Sequence, residues 1–256
     1  MSGNTEVFTG RVEDYQKYRL PYPAALIELL TSRCGLKREH LIADIGAGTG
    51  MLSQLFLEHG NAVVAVEPND GMRAACERLA SAWPGLTVKR TTAEATGLQD
   101  ASVDFVAAGR SIHWFDQAQA VKEFRRVLRP EGRVLLVYNG RALDDTPQSQ
   151  EYEALLREHG TEYDLSRARY TLDPYVDAFF GGGEFLRDDI LGEQRLTREE
   201  LLGQTQSLSF APRPGDPKYD GMQQALREFY GRWQDDGIVV LSTVCRVACG
   251  RLGHAA

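Results

Sequence analysis

The sequence predicts an α/β fold: a doubly wound parallel sheet with helices on both faces and a helical cap inserted into it. Three observations carry this expectation. Short apolar runs alternate with amphipathic segments from Leu41 to Tyr138, the first run ends in a glycine cluster over 46–50, and the rhythm lapses between 140 and 183. With 256 residues, 43 % of them hydrophobic, the chain is long enough for one large core and a cap. A single domain is expected over 1–256, with N-terminal lid helices in 1–35, a core built from 36–139 and 184–256, and the cap in 140–183.

The elements follow in order. After Pro21, the apolar positions Leu26, Ile27, Leu29 and Leu30 predict an amphipathic helix, begun by prolines that a first turn tolerates. Leu41–Ile45 reads as strand β1, and Met51–His59 as the helix after it. Ala62–Val66 is β2, Asp70–Ala82 a helix, Leu86–Lys89 β3 and Val103–Ala107 β4. Phe115–Leu128 reads as one helix, with Ala118, Val121, Phe124, Val127 and Leu128 on its apolar face. The turn signal Arg129-Pro130-Glu131-Gly132 ends it and launches β5, Arg133–Tyr138. The cap is polar and aromatic, and Gly181-Gly182-Gly183 closes it. Phe185–Arg195 and Ile238–Val247 supply the last two strands.

Bulk properties remove several function classes. The formal charge of −7 and the absence of a dense Lys/Arg run oppose nucleic-acid binding. No stretch approaches membrane-spanning length and no secretory leader is visible, so a soluble cytoplasmic protein is expected. The cysteines at 34, 76, 245 and 249 are scattered. Cys245 and Cys249 sit four apart on a strand, about 13 Å between Cα atoms, too far for a disulfide. All four read as small buried hydrophobes. No metal ligand set is expected.

The chemistry concentrates at the carboxyl ends of the strands. Asp44-Ile45-Gly46-Ala47-Gly48-Thr49-Gly50 turns directly from a strand into a helix, where glycine lets the backbone bend sharply and approach a ligand. The spacing G-x-G-x-G differs from the dinucleotide fingerprint G-x-G-x-x-G/A, and Met51 stands where that motif packs a small residue. Asp44 at the lip of β1 suits a cationic amino group better than a diphosphate. Glu67, ending β2, can accept both hydroxyls of an adenosine ribose, a feature that serves NAD and S-adenosylmethionine alike.

Five motifs now stand in order: the Asp44–Gly50 loop, Glu67 with Pro68-Asn69-Asp70-Gly71-Met72, Ala93-Glu94-Ala95, His113-Trp114-Phe115-Asp116, and Leu128–Gly132. Together they resemble the class I S-adenosylmethionine-dependent methyltransferases, in the bacterial small-molecule branch labelled type 11. The resemblance runs from about Phe8 to Tyr138 and implies a Rossmann-like fold and methyl transfer from S-adenosylmethionine to a small-molecule acceptor. It implies that Asp44, Gly46, Ala47 and Gly48 line the methionine moiety, that Glu67 binds the ribose with Pro68, Asn69 and Met72 around the adenosine, and that Ala93 and Glu94 meet the adenine. Thr92 stands where many relatives carry Asp. Tyr15, Tyr18 and Arg19-Leu20-Pro21-Tyr22 resemble the family's opening Y-x-x-Y-R-P-x-Y-P, with Leu20 replacing the first proline. Tyr15 and Tyr18 then either pack a helix on the sheet or form a lid, with Arg19 as partner of the cofactor carboxylate. Tyr15, Arg110, His113 and Trp114 are the candidate acceptor-side residues, and Arg110 is either a substrate-binding charge or a surface substitution. His113 is more readily a wall of the pocket at the start of the next helix than the general base, for which it is the candidate. A non-catalytic S-adenosylmethionine or S-adenosylhomocysteine-binding protein and an NAD(P)-dependent oxidoreductase are the competing readings. The oligomeric state is not specified by the sequence.

Overall fold

The computed structural model describes residues 17–142, 146–164, 172–181 and 183–253. Helix α1 spans Ala25–Cys34, strand β1 Leu41–Ile45, α2 Met51–His59, β2 Ala62–Val66, α3 Asp70–Ala80, β3 Leu86–Lys89 and β4 Val103–Gly109. A single 3₁₀ turn at Ile112–Trp114 precedes α4, Gln117–Val127. There follow β5 Leu128–Arg141, α5 Pro147–His159, α6 Asp173–Phe180, β6 Phe185–Leu196, α7 Arg198–Gln206, α8 Tyr219–Trp233 and β7 Val239–Gly250.

Local chemistry sets several of these boundaries. The Asn69 side chain accepts from the Met72 N–H at 2.9 Å and caps α3. Phe115 does not begin the next helix as the pattern suggested, because Asp116 caps α4 by accepting from the Gln119 N–H at 3.1 Å. The Arg129–Gly132 turn lies inside β5. Leu128 pairs with Val103 and Arg133 with Phe105, so four residues loop out of register against one on β4.

The seven strands lie in the order β3-β2-β1-β4-β5-β7-β6, with β7 antiparallel to both neighbours and the pairings from β3 to β5 all parallel. The chain winds outward from β1 to β3, then returns to the other side of β1 at β4. That reversal is a topological switch point, and it opens a crevice at the carboxyl ends of β1 and β4. Alternating strand residues feed two apolar layers. Ile42, Phe105, Ala107, Leu135 and Val137 pack on one face with Leu26, Leu30 and Phe56. Ala43, Val106, Ala108, Val134 and Leu136 pack on the other with Phe124, Phe179 and Phe180. All four cysteines are free and buried, within or beside the first layer. Among the described residues no helix is long and apolar enough to cross a membrane.

A third apolar cluster joins the helices to the sheet edge at Leu196 of β6 and Val239 and Leu241 of β7. Met222, Leu226 and Phe229 present one face of α8 to Tyr152, Leu155 and Leu156 of α5, with Leu201 of α7 and Phe210 completing it. Residues 197–238, which the sequence pattern groups with the core, therefore pack with α5 instead. Helical periodicity marks the apolar face of α8 but not the neighbour that receives it.

Candidate functional site

A cavity of about 870 Å³ occupies the crevice at the switch point. Its walls come from the β1–α2 loop, the end of β2, the segment after β3, the segment after β4, the end of β5 at Asn139, and the N-terminal stretch from Arg19 to Tyr22. This brings together Asp44, Gly46, Ala47, Gly48, Glu67, Pro68, Asn69, Met72, Ala93 and Glu94, the expected cofactor-side group, in one space.

The glycine loop is shaped by two distinct constraints. Gly46 has φ +67°, and a Cβ there would lie 2.5 Å from the Cβ of Ser111, whose hydroxyl donates to the Ile45 carbonyl at 2.7 Å. Gly46 is thus required by the packing of β1 against the segment after β4. Gly48 has φ +60°, yet a Cβ there would meet no protein atom within 4 Å. No neighbouring side chain crowds Gly48, so its bare backbone leaves clearance toward the cavity.

Two buried carboxylates flank the loop. Glu67 accepts from the Gly48 N–H at 2.7 Å through Oε2 and from the Asn69 N–H at 2.8 Å through Oε1, so it ties the loop after β1 to the cap of α3. Burial pushes its carboxyl above the usual range, against the pull of the Asn69 and Gly48 N–H groups. Asp44 is 1 % exposed and accepts from the Ser53 hydroxyl at 2.6 Å. Burial pushes it up to about 7, partly offset by the Ser53 hydrogen bond, while the Glu67 charge adds to the rise. A pair of acids this well buried is set to receive hydrogen-bond donors and a cation.

The segment after β3 is fixed from α4. Glu123 accepts from the Thr96 N–H at 2.8 Å and from its hydroxyl at 2.6 Å, and Arg126 holds the Glu123 carboxyl down at about 2. Glu94 in turn accepts from the Asp116 N–H at 2.9 Å. Thr92 also lines the cavity.

The N-terminal and post-β4 residues divide. Tyr15 lies outside the described residues. Tyr18 turns away from the cavity: its hydroxyl donates to Glu199 at 3.1 Å, and its ring lies so close to Gly203 that a Cβ there would sit 2.4 Å from it. Arg19 lines the cavity, is 9 % exposed and donates to the Ser207 carbonyl at 3.2 Å. Arg110 and Trp114 also line it, so Arg110 is no surface substitution. His113 is not among the lining residues. Its ring rests against Trp114 at 4.7 Å between centroids, and with three residues per 3₁₀ turn Ser111 and Trp114 share the cavity side while His113 points elsewhere.

Sequence reasoning passed over Ser53, Ser111 and Asn139. The Asn139 side-chain amide donates to the carbonyls of Leu20 at 3.1 Å and Pro21 at 2.9 Å, and the Asn139 backbone carbonyl accepts from Arg110 at 3.1 Å. It fastens the N-terminal stretch to the end of β5. A polar side chain closing the apolar run Val134–Tyr138 at a strand's carboxyl end was the available signal.

Residues 43–136 match the family model described as a methyltransferase domain. An uncharacterized methyltransferase of Mycobacterium tuberculosis is 39 % identical over 134 residues, which is 52 % of this chain and 52 % of that protein. An uncharacterized methyltransferase of Schizosaccharomyces pombe is 32 % identical over 140 residues, 54 % of each chain. The chain thus aligns with about half the length of these curated relatives. Among solved structures, a protein assigned as a type II methyltransferase from Anaeromyxobacter dehalogenans superposes with a TM-score of 0.69 at 26 % identity, over 93 % of this chain and all of the other. Phosphoethanolamine N-methyltransferase 2 of Haemonchus contortus, bound to phosphomonomethylethanolamine and S-adenosylhomocysteine, superposes with a TM-score of 0.54 at 18 % identity, over 98 % of this chain and 58 % of that one.

Proposed function

We propose that this chain, whose residues 43–136 are a methyltransferase domain of Rossmann-like fold, moves the methyl group of S-adenosylmethionine to a small-molecule acceptor. The observation that carries the reading is the placement of Asp44 and Glu67 on either side of a left-handed Gly48 that no protein atom crowds. An ionised carboxylate has about four acceptor sites. Glu67 spends two of them on Gly48 and Asn69, which leaves two for the hydroxyls of a ribose. Asp44 would hold the amino group of the methionine part, and Arg19 its carboxylate. A dinucleotide fits less well, because its diphosphate would meet a carboxylate at Asp44 where it needs cations.

Bound S-adenosylmethionine supplies an electrophilic methyl on a sulfonium. The chain's own work is alignment, worth about 7–11 kcal/mol when both partners are held in attack geometry. Trp114, Phe115, Met51 and Leu52 wall the space and limit water. Among the described lining residues there is no histidine, lysine or cysteine, and His113 lies outside the lining, so it is not placed to act as the base. His113→Gln is therefore expected to retain at least half of wild-type turnover with an unchanged pH profile. A loss of about 10² or more would restore His113 as the base.

Calorimetry with S-adenosylmethionine, S-adenosylhomocysteine and NAD⁺ tests the donor. Affinity for NAD⁺ without affinity for the S-adenosyl ligands would end the reading. Release of S-adenosylhomocysteine during acceptor screening separates an enzyme from a binding protein. Arg19→Ala should weaken S-adenosylmethionine about tenfold or more, through one lost charged hydrogen bond, and weaken its decarboxylated analogue far less. Equal losses would place Arg19 elsewhere.

A further inference from the structure

No cysteine lines the main cavity, yet two of the four buried thiols touch each other. Cys34 is the last residue of α1, where it follows Leu26 and Leu30 at intervals of four on the buried face of that helix. Cys249 lies next to the end of β7, and strand alternation turns it with Cys245 and Val247 into the same apolar layer as Cys34. There the two side chains are in hydrogen-bond contact, Cys34 at 2 % exposure and Cys249 at 0 %. The helix end is held over this part of the sheet from outside as well, by Arg33 on Asp188 of β6 at 2.8 Å.

The two sulfurs are not equivalent. The contact with Cys249 favours the Cys34 thiolate more than burial opposes it, and Arg133 and Arg33 add to the fall. Cys249 moves the other way, through the same contact and through burial. Cys34 is thus the sulfur suited to attack, with Cys249 beside it to resolve. The remaining thiols are quiet by comparison. Burial pushes Cys76 and Cys245 each up to about 12, with Asp44, Glu67 and Glu77 adding to the rise at Cys76 and Asp189 at Cys245. Access to Cys34 runs through the helix end. Its neighbours Arg33 and Gly35 are exposed, and Gly35 caps α1 at φ +68° with open space where a Cβ would stand. Helix ends fray, so a brief opening of the last turn brings Cys34 to a small reagent.

We propose that Cys34 and Cys249 are a redox pair that closes reversibly into a disulfide and staples the end of α1 to β7. The oxidant is a low-molecular-weight disulfide. The Cys34 thiolate attacks one of its sulfurs, the reagent's S–S bond breaks, and one reagent thiolate leaves a mixed disulfide on Cys34. Cys249 then gives up its proton and attacks the Cys34 sulfur, displacing the second reagent thiolate. Two protein thiols are oxidised, the reagent is reduced to two thiols, and the protons of the first pair pass to the second. Neither sulfur lines the main cavity, so the pair stands whatever that cavity binds. The staple nevertheless bears on it, because α1 follows directly on the stretch from Arg19 to Tyr22 that walls the cavity. Oxidation adds a second fastening to the one that the Asn139 amide makes to Leu20 and Pro21.

The test incubates the reduced full chain with glutathione disulfide, without denaturant, then quenches in acid, unfolds the chain and labels it with a maleimide. Two of the four thiols should be lost to the label, and digestion without reductant should yield a peptide joining Cys34 to Cys249 that dithiothreitol separates. Closing so long a loop should raise the melting temperature of the oxidised chain by about 5 °C or more over the reduced one. Cys249→Ala should instead collect glutathione on Cys34 and lose one thiol to it, while Cys245→Ala should form the same cross-link as the wild type. Should Cys249→Ala fail to fold, the wild-type peptide map decides alone. Retention of all four thiols, thiol loss only in denaturant, or a peptide joining any other pair overturns the proposal. So does a cross-linked chain that melts no higher than the reduced one, since a staple must hold.

Discussion

Replacing Glu67 by Ala will weaken S-adenosylhomocysteine binding by more than about a hundredfold. Two ribose hydroxyls lose a charged acceptor, at about 1.5–3 kcal/mol each. The same carboxylate also holds the Gly48 and Asn69 N–H groups at 2.7 and 2.8 Å, so the loop that shapes the site loosens with it. Glu67→Gln keeps one acceptor oxygen and should lie between the wild type and the Ala variant. Melting of the ligand-free variants separates the two contributions: a large fall in affinity with little change in melting temperature points to the ribose. Unchanged affinity in Glu67→Ala would mean that the carboxylate serves only the loop.

Asp44 sets a pH dependence whose sign is fixed. Burial raises its folded-state carboxyl to about 7, above the value of about 3.9 expected in the unfolded chain. Between these values the folded state binds the extra proton, so this group makes the ligand-free protein less stable as pH rises from about 4 to 7. Glu67 acts in the same direction. Glu123, held at about 2, contributes stability that is complete above about pH 5 and is lost as pH falls from about 4.3 toward 2, so it opposes the Asp44 trend only at the acid end of this window. A ligand ammonium at Asp44 requires the ionised form. Binding of S-adenosylhomocysteine at pH 6 should therefore release close to one proton, and affinity should fall by up to about tenfold per unit below pH 7. Calorimetry in two buffers of different ionisation enthalpy counts the proton. Asp44→Asn should bind weakly and without the proton. Wild-type binding at pH 6 with no proton released would mean that Asp44 faces no cation.

The order of β1 to β5 was legible because parallel strands buried on both faces appear as near-continuous apolar runs; Ala62–Val66 is such a run and Leu41–Ile45 is broken only by Asp44. Glycine spacing and strand-end acids gave most of the donor end for the same reason: the residues are contiguous, and the topology alone carries them to one edge. The acceptor end was less legible. Trp114 faces the cavity and His113 does not, a difference of one position within a 3₁₀ turn that no spacing rule resolves. Tyr18 reads as an aromatic of a lid, yet its ring fits against the bare backbone of Gly203, 185 residues away in sequence by number alone. Arg141 sits beyond the last periodic residue of β5. Only its pairing with Glu153 in α5 shows that it points inward.

The third apolar cluster, formed by α5, α7 and α8 with Leu196 of β6 and Val239 and Leu241 of β7, makes the molecule modular in an engineering sense. Its helical members can be exchanged as a set if the face they present to Leu196, Val239 and Leu241 is kept. Gln204, Leu208 and Phe210, which line a small space beside Arg19 and Arg110, would travel with such an exchange, while the Asp44–Gly50 loop and Glu67 would stay behind. Grafting a foreign helical trio onto this sheet should therefore redirect the choice of acceptor without rebuilding the donor end. The joints to preserve are Tyr18 on Gly203 and Arg19 on the Ser207 carbonyl, where the graft would meet the native N-terminal stretch.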